Sequence, residues 1–186
     1  MKNSKTLQLA QTALFAALCY ATFTFIQIKI PVPGGGATSL HIGNAFCVLA
    51  ALFLGGWRGG LAGAIGMSIA DLLDPVYVLS APKTFVLKLC IGLVAGFVAH
   101  GYAKINESND KAYVVKWVLI ASASGLGFNV IFAPIVGYFY KQYILGQPQE
   151  LAAILAKLSA VTTFVNAVVS VVVVSVIYNV LAPALK

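Results

Sequence analysis

Apolar residues run along this chain in six long stretches, each closed by Gly, Pro, Asn or charged side chains, at roughly 7–28, 41–57, 59–75, 82–102, 113–143 and 151–183. From Leu7 the first continues for about 22 residues, enough at ~1.5 Å per residue to cross a hydrocarbon core of about 30 Å. The second and third fall short of the ~20 residues that a perpendicular span needs. They meet at GGWRGG (55–60), which predicts a helical hairpin of short or tilted spans. The fifth and sixth exceed the requirement and are expected to project from the bilayer or to bend, with Pro134 as the kink site. The pattern predicts an all-α integral membrane protein with six transmembrane helices in a single membrane domain.

Composition supports lipid as the solvent. Of 186 residues 60% are hydrophobic and 9% charged, against about 25% charged in soluble domains. The net charge of +7 comes from Lys and Arg scattered singly between apolar runs. No basic stripe forms, so the charge does not point to nucleic acid. Lys2 and Lys5 before an apolar run resemble a signal peptide, and Cys19 resembles a lipoprotein site. Leu18 occupies the place of the small residue such a site needs, and the run continues unbroken, so a retained first span is expected. Cys19, Cys47 and Cys90 lie inside apolar runs without CxxC spacing, which indicates neither disulfide nor metal.

Positive charge sets the orientation. With both termini cytoplasmic, the inside holds Lys2, Lys5, Arg58, Lys104, Lys111, Lys116 and Lys186, and the outside Lys29, Lys83 and Lys141. The excess inside favours this topology.

Polar residues near the outer ends of spans need a further reason, since each costs free energy in hydrocarbon unless it faces protein, a cavity or a partner. His41 and Asn44, three apart, are expected on one face at the start of the second helix. Asp71 and Asp74 pair at the outer end of the third. Lys88 lies inside the fourth, where it must snorkel or meet a carboxylate. Asn129, Tyr138, Tyr140, Thr163 and Asn166 lie on the last two. Blander roles exist for each: His41 and Asn44 as interfacial caps, Lys88 with Asp71 as a structural ion pair, and Asn129 and Asn166 as interhelical hydrogen bonds. Their convergence on one half of the membrane predicts a small-molecule site.

The stretch IPVPGGGATSLHIGN (30–44) precedes this cluster. Pro31 and Pro33 hold the chain extended, and Gly34, Gly35 and Gly36 let it turn. Such a loop serves either as a mobile cover over a pocket or as a plain connection. It lacks the GxxxxGK pattern that cradles phosphates. On the first helix Ala13, Ala17 and Ala21 repeat every four residues, a small-residue stripe suited to close approach of another helix, within the chain or from a partner. Gly63 and Gly66 give the third helix a similar surface.

Taken together, the alanine-rich first helix, IKIPVPGGG followed by LHIGNAF, LGGWRGGLAGAIG, SIADLL and APKTFVLK resemble the substrate-binding S component of energy-coupling factor (ECF) vitamin transporters. The resemblance covers nearly the whole chain and is most specific from Ile28 to Lys88, closest to the riboflavin-type and pyridoxine or hydroxymethylpyrimidine-type branch. It implies a six-helix bundle in the bacterial cell membrane that binds a small vitamin on its outer face. Pyridoxine or hydroxymethylpyrimidine is favoured, with riboflavin or pantothenate as alternatives. It further implies partnership with a membrane-embedded T component and two ATP-binding subunits, with Ala13, Ala17 and Ala21 docking on the T component. The loop with Pro33, Gly34, Gly35 and Gly36 would gate a pocket formed with His41, Asn44, Asp71, Lys88, Asn129, Tyr138 and Asn166.

Enzyme readings find little support in the chain. An intramembrane serine protease needs a GxSG-like turn and a later histidine, but ASASG (121–125) lacks the first glycine, and His41 and His100 both precede it. A stand-alone secondary carrier and a structural or assembly protein are the remaining alternatives. No cofactor is implied.

Overall fold

The computed structural model describes residues 5–185, so Lys2 and Lys186, both counted among the inward charges, lie outside the described residues. The first apolar run folds as helix α1 (Lys5–Phe25) and then changes conformation within its own hydrophobic stretch. Residues 27–31 form strand β1 (Gln27–Pro31), which pairs antiparallel with β2 (Ala37–His41) from Gln27 opposite His41 to Pro31 opposite Ala37. The all-helical expectation is therefore corrected: a β-hairpin stands between the first two helices, and the predicted helical residues 27, 28 and 41 belong to its strands. Ile28 and Ile30 suit a strand, and Pro31, which has no N–H to donate, sits at the strand's last position.

Residues 32–36 close the hairpin, with the Val32 N–H donating to the Gly36 carbonyl at 3.0 Å. Gly34 and Gly35 adopt φ of 88° and 82°, a region that disfavours any residue with a Cβ. Gly36 stays outside that region, so two glycines of the three are required by conformation.

The remaining helices are α2 (Gly43–Leu54), α3 (Gly56–Leu73), α4 (Ala81–Gly96), α5 (Lys111–Phe139) and α6 (Gln149–Leu185). Asp110 caps α5 by accepting from the Ala112 N–H. A short 3-10 turn (Val78–Ser80) leads into α4, and π-helical turns extend α4 (Phe97–Tyr102) and α5 (Tyr140–Ile144). Helix α5 continues through Pro134.

Four helical stretches among the described residues are long and apolar enough to cross a bilayer: Lys5–Phe25, Val78–Tyr102, Lys111–Ile144 and Gln149–Leu181. Helices α2 and α3, the two stretches expected to be short or tilted, are not among them. Helix α2 has 12 residues, nine of them buried, so protein rather than lipid surrounds it. The outer faces of the longer helices carry exposed Ile131, Ile135, Val161, Phe164, Val168 and Val172. Such surface belongs in hydrocarbon. The chain is a mostly helical, multi-pass membrane protein.

Helices α3 and α4 meet through glycine pairs at four-residue spacing. A Cβ built on Gly92 would lie 2.3 Å from Gly60 Cα, and one on Gly96 would lie 2.2 Å from Gly56 Cα. The two backbones touch, so packing here leaves no room for side chains. Gly63 is filled by the Cys47 side chain, and Gly66 lies against the Ala16 carbonyl. These two glycines form an internal seam, so the close approach that their small size permits is made within the chain.

Candidate functional site

The hairpin lies over a cavity of about 380 Å³ at one end of the bundle. Thr38, Ser39 and His41 of β2 form one wall, and Asp71 of α3 with Lys83, Thr84 and Lys88 of α4 form a second. The third is one face of α6, where Leu155, Leu158, Ser159, Thr162, Thr163 and Asn166 recur at intervals of three and four. Lys141, on the π-helical turn after α5, reaches the cavity together with Leu145 and Gln147. Apolar surface comes from Phe23, whose ring meets that of His41 edge-on at 4.7 Å.

Three sets of contacts hold the hairpin down. The Asn166 side chain acts as a surrogate strand, its Nδ2 donating to the Ser39 carbonyl at 2.9 Å and its Oδ1 accepting from the His41 N–H at 3.0 Å. An amide side chain carries the same donor and acceptor as a peptide unit, so it satisfies the edge of β2 as a strand would. Beside it the Thr38 and Thr162 hydroxyls lie 2.8 Å apart. On the other side Lys29 of β1 pairs with Asp74, just beyond α3, and lies over the Tyr77 ring. That hydrogen bond holds the Asp74 carboxyl below its ordinary 3.8 and the Lys29 ammonium above its ordinary 10.5. At the tip, a Cβ on Gly34 would stand 3.2 Å from the Leu151 side chain of α6.

Deeper in, the Lys88 Nζ donates to Asn44 Oδ1 at 2.7 Å. Asn44 is 1% exposed and does not line the cavity, so its part is to hold Lys88. Asp71 is 2% exposed, lies beside Thr84, and leaves Oδ2 without a hydrogen-bond partner. Both Lys88 and Lys83 are within electrostatic reach of it.

Of the residues singled out by sequence, His41, Asp71, Lys88, Asn166, Pro33, Gly34, Gly35 and Gly36 line this one cavity. His41 does so from a strand, so the expected helical face shared with Asn44 does not exist. Asn129 is buried on α5 outside the cavity, and Tyr138 borders a separate shallow apolar groove with Pro134 and Ala156. Ala13 and Ala17 are exposed and Ala21 half-buried. Ala16, by contrast, faces inward onto Gly66.

Sequence reasoning left Lys83 and Lys141 in loops and passed over Ser159 and Thr162. The three- and four-residue spacing of Ser159, Thr162, Thr163 and Asn166 was the signal available for α6. For Lys141 there was none, because a π-helical turn brings it inward.

Comparison with known proteins agrees with this architecture. A solved structure of the S component of a bacterial ECF transporter superposes with a TM-score of 0.68 at 18% identity, covering 98% of this chain and 99% of that one. At that identity the likeness shows the fold. An uncharacterised protein in the gap 3' region of Pyrococcus woesei is 31% identical over 80 residues, which make up 43% of this chain and 52% of that relative. The chain thus spans about half the length of the curated relative it matches. The family described as ECF-type riboflavin transporter, S component, matches residues 3–183. With a match over nearly its whole length, the chain belongs to the ECF-type riboflavin transporter S component family, whose members are substrate-binding transporter subunits and not enzymes.

Proposed function

We propose that this protein captures a small water-soluble vitamin or vitamin precursor at the outer face of the cell membrane, with both termini cytoplasmic. It then delivers the ligand through a T component driven by two ATP-binding subunits. The observation that supports this most is the half-enclosed polar cavity beneath a hairpin held by side-chain contacts. Polar groups in such numbers within a membrane bundle are expected where a ligand is received. His41, Asp71, Lys88 and Thr162 are the proposed ligand-facing groups, with Asn166 and Asn44 positioning them. The hairpin with Pro33 and Gly34–Gly36 is the proposed gate, which opens when the contacts of Asn166 and Lys29 release. Asn129 and Tyr138 have no part in this arrangement.

The exposed stripe of Ala13 and Ala17 supports docking of the T component, since small residues let two helices approach closely in lipid. The chain has no phosphate-cradling motif, and ligand binding is expected to occur without ATP and without sodium.

Titration of the detergent-solubilised protein with vitamins tests this, without nucleotide and without sodium. Tight binding of one vitamin-sized compound is expected, and no binding below the micromolar range contradicts the receptor role. Replacing Ala13 and Ala17 by Trp is expected to abolish co-purification with a T component and leave ligand affinity unchanged. Intact complexes with weakened binding would reverse that assignment.

A further inference from the structure

The cavity lining carries an excess of positive charge. It includes three lysines, Lys83, Lys88 and Lys141, and one carboxylate, Asp71. Lys88 has Asn44 as its acceptor, and that acceptor is uncharged. Among the described residues the Lys83 and Lys141 ammonium groups make no ion pair or hydrogen bond. The two lie close enough to repel one another, and Lys83 also repels Lys88. Even with Asp71 assigned wholly to one ammonium, two positive charges remain without a counter-charge.

The same lysines stand out in the topology. With both termini cytoplasmic, as proposed above, Lys29, Lys83 and Lys141 fall on the outer side, where membrane proteins place fewer cations. Lys29 is accounted for by Asp74. The other two converge on the cavity from different elements, the start of α4 and the π-helical turn after α5. Like charges gathered in a partly desolvated pocket are unfavourable unless an opposite charge joins them. A cleft lined by one sign of charge also concentrates ligands of the other sign.

We infer that the ligand of this cavity is an acid, bound through a carboxylate or phosphate group placed between Lys83 and Lys141. The inference rests on the receptor role proposed above and narrows its substrate. It departs from the vitamins favoured by resemblance, since pyridoxine, hydroxymethylpyrimidine and riboflavin carry no net negative charge at neutral pH, whereas pantothenate does. His41, Ser159 and Thr162 then face the uncharged remainder of the ligand.

Mass spectrometry of compounds retained by the purified wild-type protein after incubation with a deproteinised cell extract identifies the ligand's charge directly. Two matched pairs separate the two sources of charge: pantothenate against its alcohol panthenol for a carboxylate, and riboflavin 5′-phosphate against riboflavin for a phosphate. The retained compound is expected to be an acid, and where a pair binds, the charged member is expected to bind about tenfold tighter or more. Lys83→Gln and Lys141→Gln should each erase about that preference while leaving the thermal unfolding temperature near wild type. Wild-type protein supplies the primary result, so a variant that fails to fold does not decide the matter. Retention of a neutral compound, or equal binding of charged and neutral partners, overturns the acidic ligand and leaves the receptor role standing. Failure to retain or bind any compound overturns both.

Discussion

The α3–α4 seam and the cavity wall on α6 solve opposite problems with the same helical geometry. At the seam, Gly56 and Gly60 meet Gly96 and Gly92 so closely that backbone touches backbone. On α6, Thr162 and Asn166 tie the hairpin down by hydrogen bonds, and Ser159 beside them lines the cavity that the hairpin covers. Removing side chains fuses two helices into one rigid body, whereas adding hydrogen-bonding side chains supports a space that a ligand can enter. The difference teaches where stability and function reside: the seam carries the first and the wall carries the second.

Substitution at the seam is the strongest way to break this contrast. Gly60→Leu places a side chain against the Leu89 carbonyl, which a Cβ would already approach to 2.6 Å. A backbone atom cannot yield as a side-chain tip does, so a loss on the order of 3 kcal/mol is expected. Thermal unfolding in detergent measures it, and an unchanged midpoint would contradict the seam's role.

At the wall the effects should be on binding before stability. Asn166→Ala leaves the His41 N–H and the Ser39 carbonyl without their partner, at a cost of about 1–3 kcal/mol. Faster ligand release in stopped-flow measurements is the expected signature, because the cover loses its latch. Asn166→Asp sharpens the point: it keeps the acceptor for His41 but loses the donor to Ser39, so release should still accelerate. An Asn166→Asp variant indistinguishable from wild type would remove the latch from the account.

Smaller effects belong to the hairpin turn. Gly34→Ala and Gly35→Ala should each cost about 1 kcal/mol through their positive φ, read as weakened ligand affinity. Gly36→Ala should be neutral, since its Cβ would meet only the Val32 side chain at an ordinary 3.7 Å. Equal losses at all three glycines would point to a flexible hinge rather than a formed turn.

The smallest effect is expected from the Lys29–Asp74 pair at the exposed rim. Asp74 has a depressed pKa and Lys29 a raised one, both through their mutual hydrogen bond. The carboxylate's contribution is therefore complete above its ordinary 3.8 and is lost as pH falls through the depressed value. The ammonium's contribution is complete below its ordinary 10.5 and is lost as pH rises through the raised value. Ligand release should be insensitive to this pair across neutral pH and should accelerate in acid, and Asp74→Asn should abolish that acid dependence.

Part of the wall was legible in the sequence and the seam was not. His41, Asp71, Lys88 and Asn166 stand out as polar residues in apolar surroundings, whereas Gly56 and Gly60 read as part of a turn and nothing in the spacing of Gly92 and Gly96 says which helix they face. The hairpin had a signal that was passed over: Ile26, Ile28 and Ile30 alternate with Gln27 and Lys29, the period of a strand, directly after an apolar run long enough to carry the helical reading through residue 28. Its strand character depends on pairing with residues 37–41, a tertiary event. Lys141 was hidden, since a π-helical turn rotates it toward the cavity in a way no periodicity announces. Asn129 and Tyr138 met the same polar-in-apolar criterion as Asn166 yet lie outside the cavity, which shows that the criterion finds unusual residues without finding their direction.

The central claim is that a ligand sits beneath the hairpin and is held there by the contacts of α6. Native mass spectrometry of the wild-type protein and of Asn166→Ala, purified side by side, tests it most directly. The account predicts a single small molecule bound to the wild type and lost from the variant, with both proteins folded. An empty wild type, or a variant that keeps the ligand as firmly as the wild type does, would contradict it.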